Sequence, residues 1–296
     1  MRGRGLTPYL YMAPALAVLG VFFFGSFFYV ILYSLGTFNP FEQSYTFEGL
    51  DNYRRLMGDG RFWVCLANSF LYLLVTPALV GVSLACAMVI DSGVRGKSLL
   101  RFLFFLPVVT PTIVAAVGWR LLFNEESGLL TAMSEPVVAG LNAVLNPSEP
   151  IGTPGWLTER PWTLVSPMVV TMWKGFGFYM MIFLAALLNV PSDLREAASL
   201  DGAGRWGTFV HVVLPSLWPT MTLVVIISSI SALKVFDEIF VTVRGVPVDH
   251  QTAVPYVYEA AFNEGSFGVA SAAGVVLFAV LLVFSVINLK LTGGDK

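Results

Sequence analysis

Lys174 and Lys234 each interrupt a long apolar run, and Asp237 follows Lys234 at one-turn spacing. A charged side chain inside a lipid-spanning helix is costly, so its retention points to a ligand, an ion path or a partner charge. Trp173 and Gly175 flank Lys174, and Phe178 lies one turn further on. At their spacing Lys234 and Asp237 share a helical face and suit an ion pair, with Ser228 and Ser231 on the preceding turns of much the same face. Aromatic planes, hydroxyls and a few charges suit a sugar, whose C–H faces pack on rings while its hydroxyls seek polar partners. A plainer alternative stays open, with Trp173 and Phe178 as packing aromatics and Lys234 snorkelling outward.

A second constellation is polar and built on small residues. Glu196-Ala197-Ala198 leads to Asp201-Gly202 and, nine residues later, to Val212-Val213-Leu214-Pro215. This island, residues 190–215, lies between two apolar runs and must sit in water. Ala197 and Ala198 let a short helix press closely against a partner, to which Glu196 can offer a carboxylate. Gly202 permits a turn with positive φ, and Asp201 is placed to cap a second short helix. Pro215 would stop that helix and restart a membrane segment. The competing interpretation is an ordinary amphipathic loop with a capping aspartate.

Enzymatic chemistry finds little footing. Residues 91–98 end in Gly96-Lys97-Ser98, yet Asp91 stands where a phosphate-binding loop needs its first glycine, and the segment joins two apolar helices. His211 and His250 fall in loops expected on opposite sides of a membrane, so they cannot share a metal. Neither a G-x-S-x-G elbow nor an H-E-x-x-H pair is present. No catalytic residue and no metal ligand is assigned. A membrane-embedded enzyme using Asp201 or Asp237 would hold its two carboxylates most of a bilayer apart.

The elements that must position these residues are membrane helices. A chain that is 56% hydrophobic and 12% charged lies outside the range of soluble domains. Six stretches reach the roughly 20 apolar residues that a bilayer crossing needs: 9–35, 63–90, 102–123, 164–188, 216–236 and 268–290. They form one all-α membrane domain over residues 1–296, kinked at prolines such as Pro107, Pro111 and Pro219. The first is read as an uncleaved helix, because the apolar run is longer than that of a signal peptide. Arg2, Arg4, Arg95, Lys97, Arg101, Arg195, Arg205, Lys290 and Lys296 fall in segments on one side, whereas acids dominate segments 36–62, 124–163 and 237–267. The basic side is expected to be cytoplasmic, with both termini and the 190–215 loop. Nothing is basic enough for nucleic acid. The long outer segments serve either as connections or as a platform for another protein.

Glu196-Ala197-Ala198, Gly202, Val212 and Leu214-Pro215 together resemble the "EAA" loop of permease subunits in binding-protein-dependent ABC importers, with Val212 where isoleucine is usual. Phe47-Glu48-Gly49-Leu50-Asp51-Asn52-Tyr53, Phe104-Phe105-Leu106-Pro107, Met172-Trp173-Lys174-Gly175-Phe176-Gly177-Phe178 and Asp201-Gly202-Ala203 are similar to the first permease of maltose-type carbohydrate importers. The resemblance implies the type I importer permease fold of six transmembrane helices, with a cytoplasmic coupling helix that docks an ATPase through Glu196 and Gly202. It places the translocation cavity on the fourth and fifth spans. It further implies a second permease in a heterodimer, two ATPase subunits that bind ATP and Mg, an extracytoplasmic substrate-binding protein, and residence in the bacterial inner membrane. No cofactor is expected on this chain. The cargo would be a sugar or oligosaccharide, and the alternative within the same branch is glycerol-3-phosphate or another phosphorylated polyol.

Overall fold

Inside a bilayer the backbone must satisfy its own hydrogen bonds, and helices are the local way to do so. The computed structural model describes residues 7–39, 44–147 and 149–292. Arg2, Arg4 and Lys296 lie outside the described residues.

The chain begins with α1 (Thr7–Val18), a π turn over Leu19–Gly25 and α2 (Ser26–Ser34). A hairpin of β1 (Gly36–Asn39) and β2 (Ser44–Phe47) follows, antiparallel with Gly36 opposite Phe47. Next come α3 (Asp51–Gly58), α4 (Gly60–Tyr72), α5 (Val75–Asp91), α6 (Lys97–Val109), α7 (Thr112–Leu122), α8 (Leu129–Leu145) and α9 (Trp162–Leu188). The polar island holds α10 (Ser192–Leu200) and α11 (Arg205–Thr208), and a π turn leads to α12 (Leu214–Ser216) and α13 (Trp218–Leu233). The chain continues with α14 (Asp237–Thr242), α15 (Ala253–Tyr258) and α16 (Phe267–Thr292).

Four of the six expected spans are long apolar helices: Tyr11–Ser34, Gly60–Asp91, Trp162–Leu188 and Phe267–Lys290. The other two are broken. α6 and α7 meet at 96°, and the segment Arg205–Ser216 meets Trp218–Leu233 at 66°. Proline accounts for both breaks. Pro111 disfavours helical backbone at the residue before it, and Thr110 is extended at φ −68° and ψ 129°. Pro219 lacks the N–H that would bond the Pro215 carbonyl one turn back, and the bend falls between them at Leu217.

The chain divides into two compact units, Met1–Trp63 with Tyr256–Val280 and Val64–Pro255 with Leu281–Lys296. In the first, the Phe47–Tyr53 motif is structural. Asn52 is buried and donates to the carbonyls of Ser34 (3.3 Å) and Gly36 (2.9 Å), while Tyr53 and Ser34 share a hydroxyl contact of 2.8 Å. Arg61 forks between Asp59 (2.7 Å) and Glu264 (2.7 Å), and the Tyr256 hydroxyl donates to Asp59 at 3.0 Å. The Arg61 guanidinium holds the Asp59 carboxyl below its ordinary range.

In the second unit α9 is the central helix, packed on α5, α6, α7, α13 and α14. Tyr72 and Thr171 share a hydroxyl contact at 2.7 Å, and the Ser83 hydroxyl donates to the Phe176 carbonyl at 3.0 Å. α6 comes so close to α9 that a Cβ at Gly177 would overlap the Phe104 carbonyl. The proline-bearing segment 124–163 holds a helix that its composition had hidden. α8 carries Pro136 inside it and ends at Asn146, which takes a left-handed φ of 41°. Leu and Ala in this stretch supply the helix propensity.

The contrast among glycines is testable. Gly177→Ala should cost about 1–3 kcal/mol, because a backbone carbonyl cannot rotate away. Gly140→Ala in α8, where nothing lies within 4 Å of the added carbon, should be neutral or stabilising by up to about 1 kcal/mol. Thermal melting of the two variants in detergent checks the difference.

Candidate functional site

Two places gather the residues singled out above, one in the helical bundle and one in the polar island. In the bundle, Lys174, Gly175 and Phe178 from α9 and Ser228 and Ser231 from α13 line a single cavity of about 210 Å³. Thr171, Tyr179 and Glu238 complete its polar lining. The fit is local. Gly175 keeps α9 close to Leu79, whose Cδ2 would lie 3.2 Å from an added Cβ. Ser228 is buried and returns its hydroxyl to the Val224 carbonyl at 2.7 Å, as serines inside helices do. Phe178 keeps 44% of its surface exposed and meets Tyr179 edge-on, with ring centroids 5.3 Å apart.

Three expected members are elsewhere. Trp173 packs edge-on against Trp119, with ring centroids 5.8 Å apart, and does not line the cavity. Among the described residues Lys234 and Asp237 form no ion pair. Lys234 follows the end of α13 as its C-cap, and the chain turns away through Phe236 (φ −135°, ψ −64°), so the one-turn spacing no longer places them on one face. The break instead turns Glu238 into the cavity, which Lys174 also lines. Glu238 escaped the sequence reading because continuous helical periodicity favoured its neighbour Asp237. One turn further along α14, Thr242 lines a second hollow of about 370 Å³ with Asn124, Arg120 and Arg244.

The polar island folds as helix, turn, helix. Asp193 in the first turn of α10 favours the positive end of the helix dipole. The far end closes on Gly202, at φ 82°. Its N–H donates to the Ser199 carbonyl (3.1 Å) and that of Ala203 to the Ala198 carbonyl (2.9 Å), which is the Schellman pattern. Asp201 therefore ends α10 and does not cap α11. Gly204 holds that position, with no side-chain cap. Pro215 lies within α12, and the bend comes at Leu217. Glu196 and Ala197 face outward, Ala198 is half-buried, and Leu200 and Trp206 are 89% and 74% exposed. Large apolar side chains left bare in a polar loop mark a contact surface. Neither had been singled out, although an exposed Trp and Leu in a polar island is a readable signal.

Residues 78–291 match the family described as "binding-protein-dependent transport system inner membrane component". The chain belongs to that family. The match takes in α9 to α14, so this permease carries its cavity and its polar island within the shared region. Over 97% of its length it is 31% identical to the diacetylchitobiose uptake system permease protein NgcF of Streptomyces coelicolor, covering 83% of that protein. It is also 31% identical to the arabinooligosaccharides transport system permease protein AraP of Bacillus subtilis, over 98% of this chain and 90% of the relative. A bacterial ABC transporter involved in the import of the acidic polysaccharide alginate has a chain of the same fold, with TM-score 0.79, 18% identity and coverage of 97% and 94%. The permease is thus an all-α membrane component of a transport system.

The turn at Gly202 gives a direct test on the permease. A β-branched residue held at φ 82° is strained by about 1–2 kcal/mol, so Gly202→Val should open the last turn of α10. Hydrogen exchange at the Gly202 and Ala203 amides should rise severalfold, with the α5 and α9 amides unchanged.

Proposed function

We propose that this chain forms half of the translocation pathway of an ATP-driven importer for a neutral sugar or oligosaccharide, delivered by an extracytoplasmic binding protein. The observation that carries the proposal is the cavity that joins Lys174, Phe178, Tyr179, Ser231 and Glu238 on α9, α13 and α14. Rings supply stacking faces, and the hydroxyls and charges supply donors and acceptors. The named cargoes of the two relatives, diacetylchitobiose and arabinooligosaccharides, support a saccharide. At about 210 Å³ the cavity is smaller than the ~300 Å³ at which small-molecule sites begin. A facing second permease would complete it.

The remaining parts follow from the same reading. Two ATPase subunits bind ATP and Mg and dock on α10 through Glu196, Ala197, Ala198 and the bare Leu200. Asp201 and Gly202 hold the shape of that docking helix. The protein resides in the bacterial inner membrane with both termini and α10 in the cytoplasm. A phosphorylated polyol is disfavoured because Glu238 offsets the charge of Lys174 and no arginine lines the cavity, whereas phosphate is best met by the guanidinium fork.

Three measurements test this. With the transporter reconstituted alongside its binding protein, diacetylchitobiose, arabinotriose and maltose are offered against glycerol-3-phosphate. At least one neutral saccharide should be transported, and glycerol-3-phosphate should not compete; inhibition by the phosphate alone overturns the proposal. Lys174→Ala should lower uptake roughly tenfold, the loss of one charge-assisted hydrogen bond, without changing the substrate class. For orientation, cysteines at Ser199 and Thr153 should react with an impermeant reagent from opposite faces of the membrane. Labelling of both from outside intact cells sinks the topology.

A further inference from the structure

α10 stands away from the bundle. A cavity of about 540 Å³ lies beneath it, lined by Met88 and Asp91 of α5, Leu187 of α9, and Arg195 and Ser199 of α10. Its packing partners are the π turn and α11 that follow it in the chain. Among the described residues, Arg195 reaches from α10 to the membrane helices. Arg195 donates through Nη1 to Asp91 Oδ2 at 2.9 Å and through Nη2 to the Leu187 carbonyl at 3.0 Å. Asp91 is the last residue of α5, and Leu187 lies in the last turn of α9. A single planar guanidinium therefore grips the ends of two spans with bonds that have fixed direction.

Position and burial argue that the link does more than decorate a surface. Asp91 is a carboxylate at the negative end of the α5 dipole, a locally unfavourable place, yet its side chain is only 17% exposed. Arg205 lines the same cavity but forms no ion pair among the described residues. Apolar contacts slide, and a gap of 540 Å³ transmits little push. A charge-assisted fork resists displacement both along and across its bonds.

We propose that Arg195 and Asp91 are positioning residues that transmit movement of α10 to α5 and α9, acting as the strut between ATPase docking and the bundle. This rests on the docking role proposed above for α10. Without the strut, ATPase subunits would still bind and hydrolyse ATP, but the cavity at Ser231 would no longer respond.

The test uses the assembled transporter with both permeases and the ATPase subunits. Ser231→Cys, which lines the bundle cavity, is labelled with an impermeant maleimide over the background of Cys65 and Cys86, with and without trapping by ADP and vanadate. Trapping should change the labelling rate severalfold in the Ser231→Cys parent. In Asp91→Asn and Arg195→Gln the change should shrink by at least about threefold, within the range seen for residues that couple two sites, while ATP hydrolysis continues and the ATPase subunits co-purify. Arg195→Lys, which keeps the charge but loses the fork, should give an intermediate response. The exchanged pair Asp91→Arg with Arg195→Asp should recover part of it, which a merely misfolded single variant cannot explain. A full response in Asp91→Asn or Arg195→Gln, or no recovery in a folded exchanged pair, overturns the strut. Glu196→Lys reports on docking separately: co-purification that survives it removes α10 as the docking helix and takes the strut with it.

Discussion

The close approach of α9 to α5 and α6 fixes where every other part of the second unit can go. Gly177 leaves no room for a side chain beneath the Phe104 carbonyl, and Gly175 sets α9 against Leu79. Ser83 and Tyr72 then pin the contact with polar bonds to Phe176 and Thr171. In lipid the apolar effect gives helices little reason to associate, so small residues and interhelical hydrogen bonds do that work. The same stretch of α9 carries Lys174 just before those glycines and Phe178 just after them. Lys174 and Phe178 thus inherit their positions from this close helix contact, and a side chain on a rigid helix is held more accurately than one on a loop.

Around that seam the backbone is irregular where it has something to line or to reach. The bends at Thr110 and Leu217 and the break before α14 come at the ends of otherwise regular helices. The break at Phe236 is what admits Glu238 to the cavity. The turn at Gly202 leaves Leu200 and Trp206 bare. The break before α14 and the turn at Gly202 thus expose side chains to a cavity or to solvent that a continuous helix would place elsewhere.

Much of this was legible from residue types. The spans follow from apolar length, and Gly202 was placed correctly because a short polar helix needs a left-handed residue to end on. Lys174, Ser228 and Ser231 stood out because polar groups are conspicuous in lipid-facing sequence, and Gly175 and Phe178 because they neighbour Lys174; the structure places all five on one cavity. What was missed shares one physical origin. Helical periodicity assumes an unbroken helix, so it paired Lys234 with Asp237 across a break and overlooked Glu238 beyond it. It also gave Asp201 to the wrong helix, since a residue at a turn can end one element as readily as start the next. The prolines of segment 124–163 concealed α8, because a breaker inside a helix reads as a loop when its neighbours' propensity is not summed. The Asp91–Arg195 contact joins residues 104 positions apart, a distance at which local patterns carry no information.

Lys174 and Glu238 line one cavity, and that has an electrical consequence. Shifting one elementary charge through the membrane potential involves about 2.3 kcal/mol per 100 mV, so a lone lysine whose access switched between the two sides would make each cycle voltage-dependent. Ionised together, opposite charges lining that one cavity would carry almost no net charge through the switch. With a neutral cargo, the turnover of this half of the pathway would then be nearly indifferent to whether the cell is energised or depolarised.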